Sequence, residues 1–300
     1  MKDKTGYNFF LIYSIALLCI ITAPAFASLD SIILMPVGEY GSQSSWTAYQ
    51  EGVFASIKDT WQQSNYYNTA DISHTISDLN WWYGFDFEAW INSSKFFSLS
   101  LSLGYKWSEK ATFEYRYNNW FGAGMDDFLI ADMRLSAFPV GFGFNFHVPI
   151  AYGVILIGMG VKGSVSRINL TMNYNQDINF GTAENSFIQK GHGYGVAGGP
   201  RVFFRWRFSK RWAIIAIADY QFGKSFAFSA YDDITDEKLT LYSFEEKHPQ
   251  TGEYYTKWEW LSNTEMYEYR SDETTYRNVE ALNIDLSSMQ LRIGIMFQLL

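Results

Sequence analysis

Large apolar residues alternate with small or polar residues along much of the chain. Between residues 96 and 107, for example, Phe97 and Leu99 share one face, and Ser98 and Ser100 lie on the opposite one. Successive side chains of a strand point to opposite sides of its sheet, so a period of two predicts strands with one apolar face. The same alternation occupies six further segments: 79–92, 140–148, 155–162, 194–208, 212–222 and 289–299.

The face opposite the apolar residues distinguishes between two β architectures. In a soluble β-sandwich the outward face carries many polar and charged side chains. Here it is crowded with glycine and serine, as at Gly141 and Gly143, and holds only scattered charges. Small inward residues suit the narrow interior of a barrel whose apolar exterior contacts lipid. The sequence therefore predicts an all-β fold, a transmembrane antiparallel up-and-down β-barrel.

The lengths of the connections support this prediction. Short and long connections alternate along the chain, as in outer-membrane barrels with short periplasmic turns and long extracellular loops. One further strand before residue 79 brings the predicted count to eight, and an even count puts both termini in the periplasm. The short connections are 92–95, 147–152 and 208–211, and the long ones are 108–126, 169–191 and 231–281.

Two parts of this topology have more than one interpretation. The first strand falls in 32–41 or in 46–57, and the latter segment also has the three- and four-residue spacing of a short helix. A hairpin inside loop 231–281, around 254–261, would raise the strand count to ten.

The N-terminus has the features of a secretory signal peptide. Lys2 and Lys4 precede an apolar run over 9–21, and the small-residue pattern Ala-Phe-Ala follows at 25–27. The run is too short for a membrane-spanning helix, which needs about 20 apolar residues. We therefore predict a cleaved signal over residues 1–27 and a mature barrel domain over 28–300, which contains no cysteine.

With these features the chain resembles the small bacterial outer-membrane β-barrels, the class that holds OmpX-, OmpW- and OmpA-like proteins. The most specific motif is the C-terminal alternation over 289–299, which is similar to the signal read by the barrel-assembly machinery. That signal usually ends in an aromatic residue, whereas this chain ends in Leu300, with Phe297 three places earlier. The resemblance implies a location in the bacterial outer membrane, in contact with its lipid.

Charge separates the barrel from one of its loops. The chain of 300 residues has a formal net charge of −8, which argues against nucleic-acid binding, because a nucleic-acid binder needs a basic face for phosphate. Loop 231–281 alone holds thirteen acidic and five basic residues, a net charge of −8. The rest of the chain is therefore close to neutral, although 48% of all residues are hydrophobic and the mean hydropathy is only −0.13.

Loop 231–281 is also rich in aromatic residues. A long loop of this kind is often functional, because aromatic anchors supply contact area and acidic groups attract a partner with a basic patch. A solvated, variable surface loop is the alternative interpretation. The candidate recognition residues are Tyr254, Tyr255, Trp258, Trp260, Tyr267 and Tyr269.

Charged residues on the predicted inner face form a second candidate site. An unpaired charge in a narrow lumen is costly, so we expect these residues to form ion pairs across the lumen and to close it. The alternative is that they lie unpaired at wet ends of the lumen. The candidates are Asp86, Glu88, Asp132, Arg134, Arg201, Arg205, Asp219 and Arg292.

These features predict a non-enzymatic outer-membrane barrel that displays surface loops for interaction or adhesion. The four histidines lack metal-ligand spacing, and no cofactor motif lies in a suitable context, so we predict no cofactor. One alternative is a narrow channel for small or hydrophobic molecules, as the OmpW-like resemblance implies. Another is an omptin-like protease, for which the nearest acid–base candidates are Asp126, Asp127 and His248, although the omptin motifs are not reproduced.

Overall fold

A computed structural model describes nine segments of the chain: 28–41, 72–76, 81–92, 94–118, 126–178, 183–232, 237–247, 252–283 and 285–299. The predicted signal peptide and segment 46–57 lie outside them. The strands are β1 Ser28–Gly41, β2 Ile72–Ile76, β3 Trp81–Asn92, β4 Phe97–Ser108, β5 Ala111–Asn118, β6 Asp126–Ile150, β7 Ile155–Ile178, β8 Ala183–Arg207, β9 Trp212–Ser225, β10 Ser229–Asp232, β11 Glu237–Lys247, β12 Tyr254–Leu261, β13 Tyr276–Ala281 and β14 Ser288–Gln298, with helix α1 at Asn263–Ser271 and a 3-10 turn at Ala151–Gly153.

Eight of these strands form a closed antiparallel ring in the order β1, β3, β4, β6, β7, β8, β9 and β14, and β14 pairs back with β1. The prediction of an eight-stranded antiparallel barrel is therefore confirmed. Strand β1 contains the candidate first strand 32–41. The predicted hairpin around 254–261 also exists, because β12 pairs with β11. It lies outside the ring, however, so the ring keeps eight strands.

The outer surface of the ring carries a belt of exposed apolar side chains. In β14, Leu291, Ile293 and Ile295 are each 56% exposed, whereas Arg292 between them is completely buried. Such a large apolar surface is unstable in water and matches the hydrocarbon layer of a bilayer. The alternation read from the sequence therefore corresponds to a lipid-facing exterior and a lumen-facing interior.

Three neighbouring strands are far longer than a bilayer requires. Strands β6, β7 and β8 have 25, 24 and 25 residues, whereas about 9–11 residues of a tilted strand cross a membrane. The predicted loop 169–191 is mostly strand, because β7 continues to Ile178 and β8 begins at Ala183. Loop 108–126 likewise contains β5, which pairs with β6.

We call the end of the ring that has the short connections, where β1 begins and β14 ends, the turn end, and the opposite end the cap end. Towards the cap end the interior becomes apolar while its outer face becomes polar: in β7, Ile168 and Leu170 are buried, whereas Arg167 is exposed. These inner side chains form the upper apolar cluster, which consists of Trp82, Ala111, Met133, Leu135, Ala137, Ile168, Leu170, Met172, Phe228, Leu241 and Leu282.

A second apolar cluster fills the interior near the turn end. It contains side chains from six of the eight ring strands, so the ring encloses it on most sides. We call it the lower apolar cluster: Ile33, Met35, Trp90, Leu156, Phe203, Ala213, Ile215, Ile217 and Met296. Among the described residues, no helix is long and apolar enough to cross a membrane.

Candidate functional site

The centre of the lumen holds six charged side chains, which we call the lumen charge cluster: Asp86, Glu88, Lys162, Arg201, Asp219 and Arg292. All six are almost completely buried. They lie between the upper and lower apolar clusters along the barrel axis, as the order of residues along the strands shows: on β3, Asp86 and Glu88 lie between Trp82 of the upper cluster and Trp90 of the lower cluster. Three acidic and three basic groups give the cluster a formal net charge of zero.

Arg201 connects two walls of the barrel. Its Nε donates to Asp219 Oδ1 at 2.9 Å, and the two residues stand directly opposite each other on β8 and β9. Its Nη1 and Nη2 donate to Glu88 Oε1 and Oε2 at 2.7 and 3.1 Å. This parallel pair of bonds is the strong bidentate form of an arginine–carboxylate contact.

Arg292 and Lys162 complete the cluster. Arg292 donates to the carboxylates of Asp86 and Asp219, and its Nη1 lies 3.5 Å from Glu88 Oε2. Lys162 Nζ donates to Asp86 Oδ2 at 3.0 Å. Each carboxylate is thus in contact with two cations, which offsets the desolvation of buried charges.

This arrangement fills the lumen at its middle. The lower apolar cluster is attached to it, because Trp90 Nε1 donates to Glu88 Oε1 at 2.8 Å. A separate buried pair, in which Lys106 Nζ donates to Glu39 Oε2 at 2.6 Å, lies further towards the cap end. An eight-stranded interior is only just wide enough for side chains, so these groups leave little room for a solute.

Five of the eight predicted lumen residues belong to this cluster, and three do not. Asp132 and Arg134 need correction, because the inward positions of β6 are odd-numbered and both residues are even-numbered. Arg134 is exposed, and Asp132 accepts from Thr112 Oγ1 at 2.9 Å and pairs with Lys110 at 2.7 Å. Arg205 is buried, but it lies at the turn end.

The prediction also missed charged residues that the same alternation would have found. Lys162 follows Val161, and Lys106 precedes Trp107. Each lysine is thus next in sequence to an apolar residue that points outward, and the lysine itself points inward. Glu39 pairs with Lys106 from strand β1, whose limits were uncertain in the sequence. Counting every charge on the small-residue face would have identified both lysines.

Most of the described part of predicted loop 231–281 is a folded structure, which we call the cap. Strand β11 pairs with β10, β12 and β13, and helix α1 packs beside them. Helix α1 begins with a capping box, in which Ser262 Oγ accepts from the Glu265 backbone and Glu265 accepts from the Ser262 backbone. Its apolar core, the cap core, consists of Tyr242, Phe244, Leu261, Met266 and Val279.

Of the four aromatic recognition candidates whose side chains the structure describes, three contact other parts of the protein. The ring of Tyr269 stacks on Tyr276 at 4.0 Å, and Tyr254 donates to the Thr274 carbonyl at 3.0 Å beneath the Arg277 guanidinium. Tyr254 and Tyr269, which were predicted to contact a partner, thus contact other residues of the cap instead.

The remaining candidates divide into three cases. Trp260 packs against the upper apolar cluster. Tyr267 is 68% exposed, on the outer side of α1. The side chains of Tyr255 and Trp258 lie outside what the structure describes, as do the side chains of Asp126 and Asp127 and the whole of His248.

Burial also changes the acidity of the cap. The pKa of the Tyr269 hydroxyl is raised well above its usual 10.0, first by burial and then by the nearby carboxylate of Glu259. Burial and the charge of Glu246 raise the pKa of Tyr276 as well. Both phenols therefore remain neutral in the folded cap at a pH where an exposed tyrosine begins to ionise.

Comparison with known proteins finds likeness in structure but not in sequence. No family model matches the chain, and no curated protein has a detectably similar sequence. The chain is similar to the crystal structure of the outer membrane protein OprG from Pseudomonas aeruginosa, with 9% sequence identity and a TM-score of 0.39; the match covers 91% of this chain and 97% of OprG. This likeness concerns the fold alone. The closed eight-stranded antiparallel ring is the feature that agrees with the resemblance to small outer-membrane barrels.

Proposed function

We propose that this protein is a non-enzymatic barrel of the bacterial outer membrane, with a closed lumen and a cap that serves as an interaction or adhesion surface. The observation that carries the proposal is the filling of the ring in three layers, with the lumen charge cluster between two apolar clusters. A ring filled in this way is suited to holding the cap rather than to passing solutes.

The proposal includes an orientation in the membrane. Residues 1–27 direct export and are then removed, and the barrel-assembly machinery binds the C-terminal strand over 289–299. The turn end and both termini face the periplasm, and the cap faces outward. The apolar belt of the ring supports the contact with membrane lipid.

Charge, more than aromatic area, makes the cap suited to a partner. Segment 231–281 carries a net charge of −8, whereas Tyr269 and Trp260 are partly buried against the apolar clusters of the protein. A partner with a basic patch would be attracted to such a surface, and its association would slow as salt screens the charges. Tyr267 is the described recognition candidate that is free to contact such a partner.

The test is adhesion of cells that display the full chain or a variant in which residues 233–281 are replaced by four Gly and Ser residues. We expect adhesion to fall to the level of cells without the protein, and the adhesion of the full chain to weaken at high salt. The control is surface labelling, which must show equal display of both chains. Equal adhesion by both chains would contradict a role for the cap.

The channel alternative is tested on the purified full chain in planar bilayers. With three filled layers we expect no stable conductance steps. Large, long-lived steps would show that the lumen opens and would favour the passage of small molecules instead.

A further inference from the structure

A cavity of about 380 Å³ opens at the turn end of the barrel, below the lower apolar cluster. Trp90 and Leu156 of that cluster form its apolar wall, and Lys95, His147 and Arg205 supply nitrogen groups. Cavities of this volume hold small organic molecules or ions with their hydration shell. Because the lower apolar cluster lies behind it, the cavity is a dead end rather than the mouth of a channel.

Two buried nitrogens in this cavity have no partner within the described structure. Arg205 is 7% exposed, and its Nε makes no hydrogen bond. His147 is 6% exposed, and its Nδ1 is likewise without a partner. Burying such groups unpaired is costly, so a buried arginine normally binds a carboxylate or phosphate.

The protein does not supply that anion from its own side chains. Asp30 is the one acidic residue in the described segments of the turn end, and it lies close enough to influence Arg205 and His147. Yet no ion pair joins Asp30 to Arg205, and Asp30 Oδ2 is itself buried without a partner. Arg205 thus has a counter-charge nearby, but no carboxylate of the described residues is hydrogen-bonded to its guanidinium.

The surroundings of the cavity are basic as well. Five cationic side chains lie in the described turn segments, against the single carboxylate of Asp30: Lys95, Arg205, Arg207, Lys210 and Arg211. The positive end of the barrel raises the local concentration of anions. Lys95 is exposed and lines the opening, where it can contact an anion that Arg205 holds from within.

We propose that this turn-end cavity is a binding site for an oxyanion, a phosphate or carboxylate group, held by Arg205 and Lys95. The guanidinium of Arg205 supplies a forked pair of donors, and the apolar wall of Trp90 and Leu156 contacts the non-polar part of the ligand. The group could come from a free anion or from a lipid headgroup, and these share the same chemistry.

The test is calorimetric titration of the full chain in a neutral maltoside detergent, first with inorganic phosphate and then with short-chain phosphatidylglycerol. The key variant is Arg205→Gln. Its matched control is Arg211→Gln, which removes one positive charge from an exposed position at the same end. Lys95→Gln, at an exposed position, is the second variant if Arg205→Gln fails to fold, and migration of unboiled protein on a denaturing gel reports folding.

We expect saturable binding that weakens at least tenfold in Arg205→Gln, several-fold in Lys95→Gln and little in Arg211→Gln. Saturable binding of phosphate with this pattern identifies a free anion as the ligand. Binding of phosphatidylglycerol alone, with the same pattern, identifies a headgroup. Equal losses in Arg205→Gln and Arg211→Gln would reduce the effect to general electrostatic attraction and overturn the proposal, as would the absence of saturable binding of either probe.

Discussion

At the scale of single residues, Arg201 depends on the closure of the whole ring. Its partner Asp219 stands opposite it on the neighbouring strand, but Glu88 belongs to β3, which is not adjacent to β8. The contact between Arg201 and Glu88 therefore forms only when the barrel closes around the lumen. Closure and charge pairing stabilise each other, and a change at this position should affect the entire barrel.

Arg201→Met tests this dependence. The substitution leaves Glu88 and Asp219 buried with one cation fewer each, and breaking a buried ion pair typically costs about 3–5 kcal/mol. We expect the free energy of unfolding in urea, measured in detergent micelles, to fall by about that amount. Arg134→Met is the control, because an exposed substitution changes stability by at most about 0.5 kcal/mol. Similar losses in both variants would show that the cluster contributes no special stability.

Tyr269 provides a prediction about pH. Its pKa is raised in the folded cap, so the folded state holds the proton more tightly than the unfolded state does. Its contribution to stability is present below pH 10 and is lost as the pH rises through the raised value. In an absorbance titration of tyrosinate, Tyr269→Phe should remove the last part of the curve to titrate. Tyr267→Phe, on the exposed side of the same helix, should leave that part in place.

The charged residues also show what the sequence can reveal at this scale. Alternation alone identifies the inward side of a strand, and it correctly groups Asp86 with Glu88 and Arg201 with Arg205 on one face. It does not reveal depth, which is why Arg205 lies at the turn end and outside the cluster. Partners such as Arg201 and Glu88 are 113 residues apart in sequence, and only the closed ring brings them together.

At the scale of elements, the prediction succeeds within the membrane and fails beyond it. Strands β3, β4, β9 and β14 agree with segments read directly from the alternation. In β7 the even-numbered residues point inward along the whole strand. Towards the cap end, however, these inward residues are apolar, as at Ile168 and Leu170, and the outward residues are polar. Because the prediction looked for apolar residues on the outward face, it ended the strand where that face becomes polar and assigned the rest of β7 to a loop.

Helix α1 gives a prediction for one element. The Ser262 hydroxyl accepts from the Glu265 backbone within the capping box, and loss of such a cap costs about 1 kcal/mol. Ser262→Ala should therefore increase hydrogen exchange in α1 about fivefold. Thr264→Ala, at an exposed position of the first turn, is the control. Unchanged migration of unboiled protein on a denaturing gel would show that the barrel itself is intact. Equal exchange rates in both variants would contradict a stabilising cap.

At the scale of the whole molecule, the barrel and the cap are joined through shared packing. Leu241 of β11 belongs to the upper apolar cluster, and its backbone N–H donates to the Phe228 carbonyl at 3.0 Å. The Leu282 N–H in turn donates to the Leu241 carbonyl at 2.9 Å. The cap thus covers the upper cluster, but none of the eight pairings that close the ring involves β10 to β13. Nothing local in the sequence of 231–281 reveals this packing.

Replacing residues 233–281 by four Gly and Ser residues tests this separation of barrel and cap. Four residues can bridge the ends at Asp232 and Leu282. One intervening strand separates Phe228 from Leu282 by about 10 Å, and Asp232 lies about 14 Å further along β10. The resulting diagonal of about 17 Å is within the reach of the five peptide units between Asp232 and Leu282. The ring should persist, so unboiled protein should still migrate differently from boiled protein on a denaturing gel.

The same variant loses Leu241 and Trp260 from the packing of the upper cluster, so it should bind a fluorescent apolar dye more strongly than the full chain. It should nevertheless remain closed in planar bilayers, because the lumen charge cluster and the lower apolar cluster are unchanged. Arg134→Met is the control for dye binding, because this exposed position belongs neither to the apolar clusters nor to the lumen charge cluster. If removal of the cap produced stable conductance, the cap and not the lumen would be the barrier to passage.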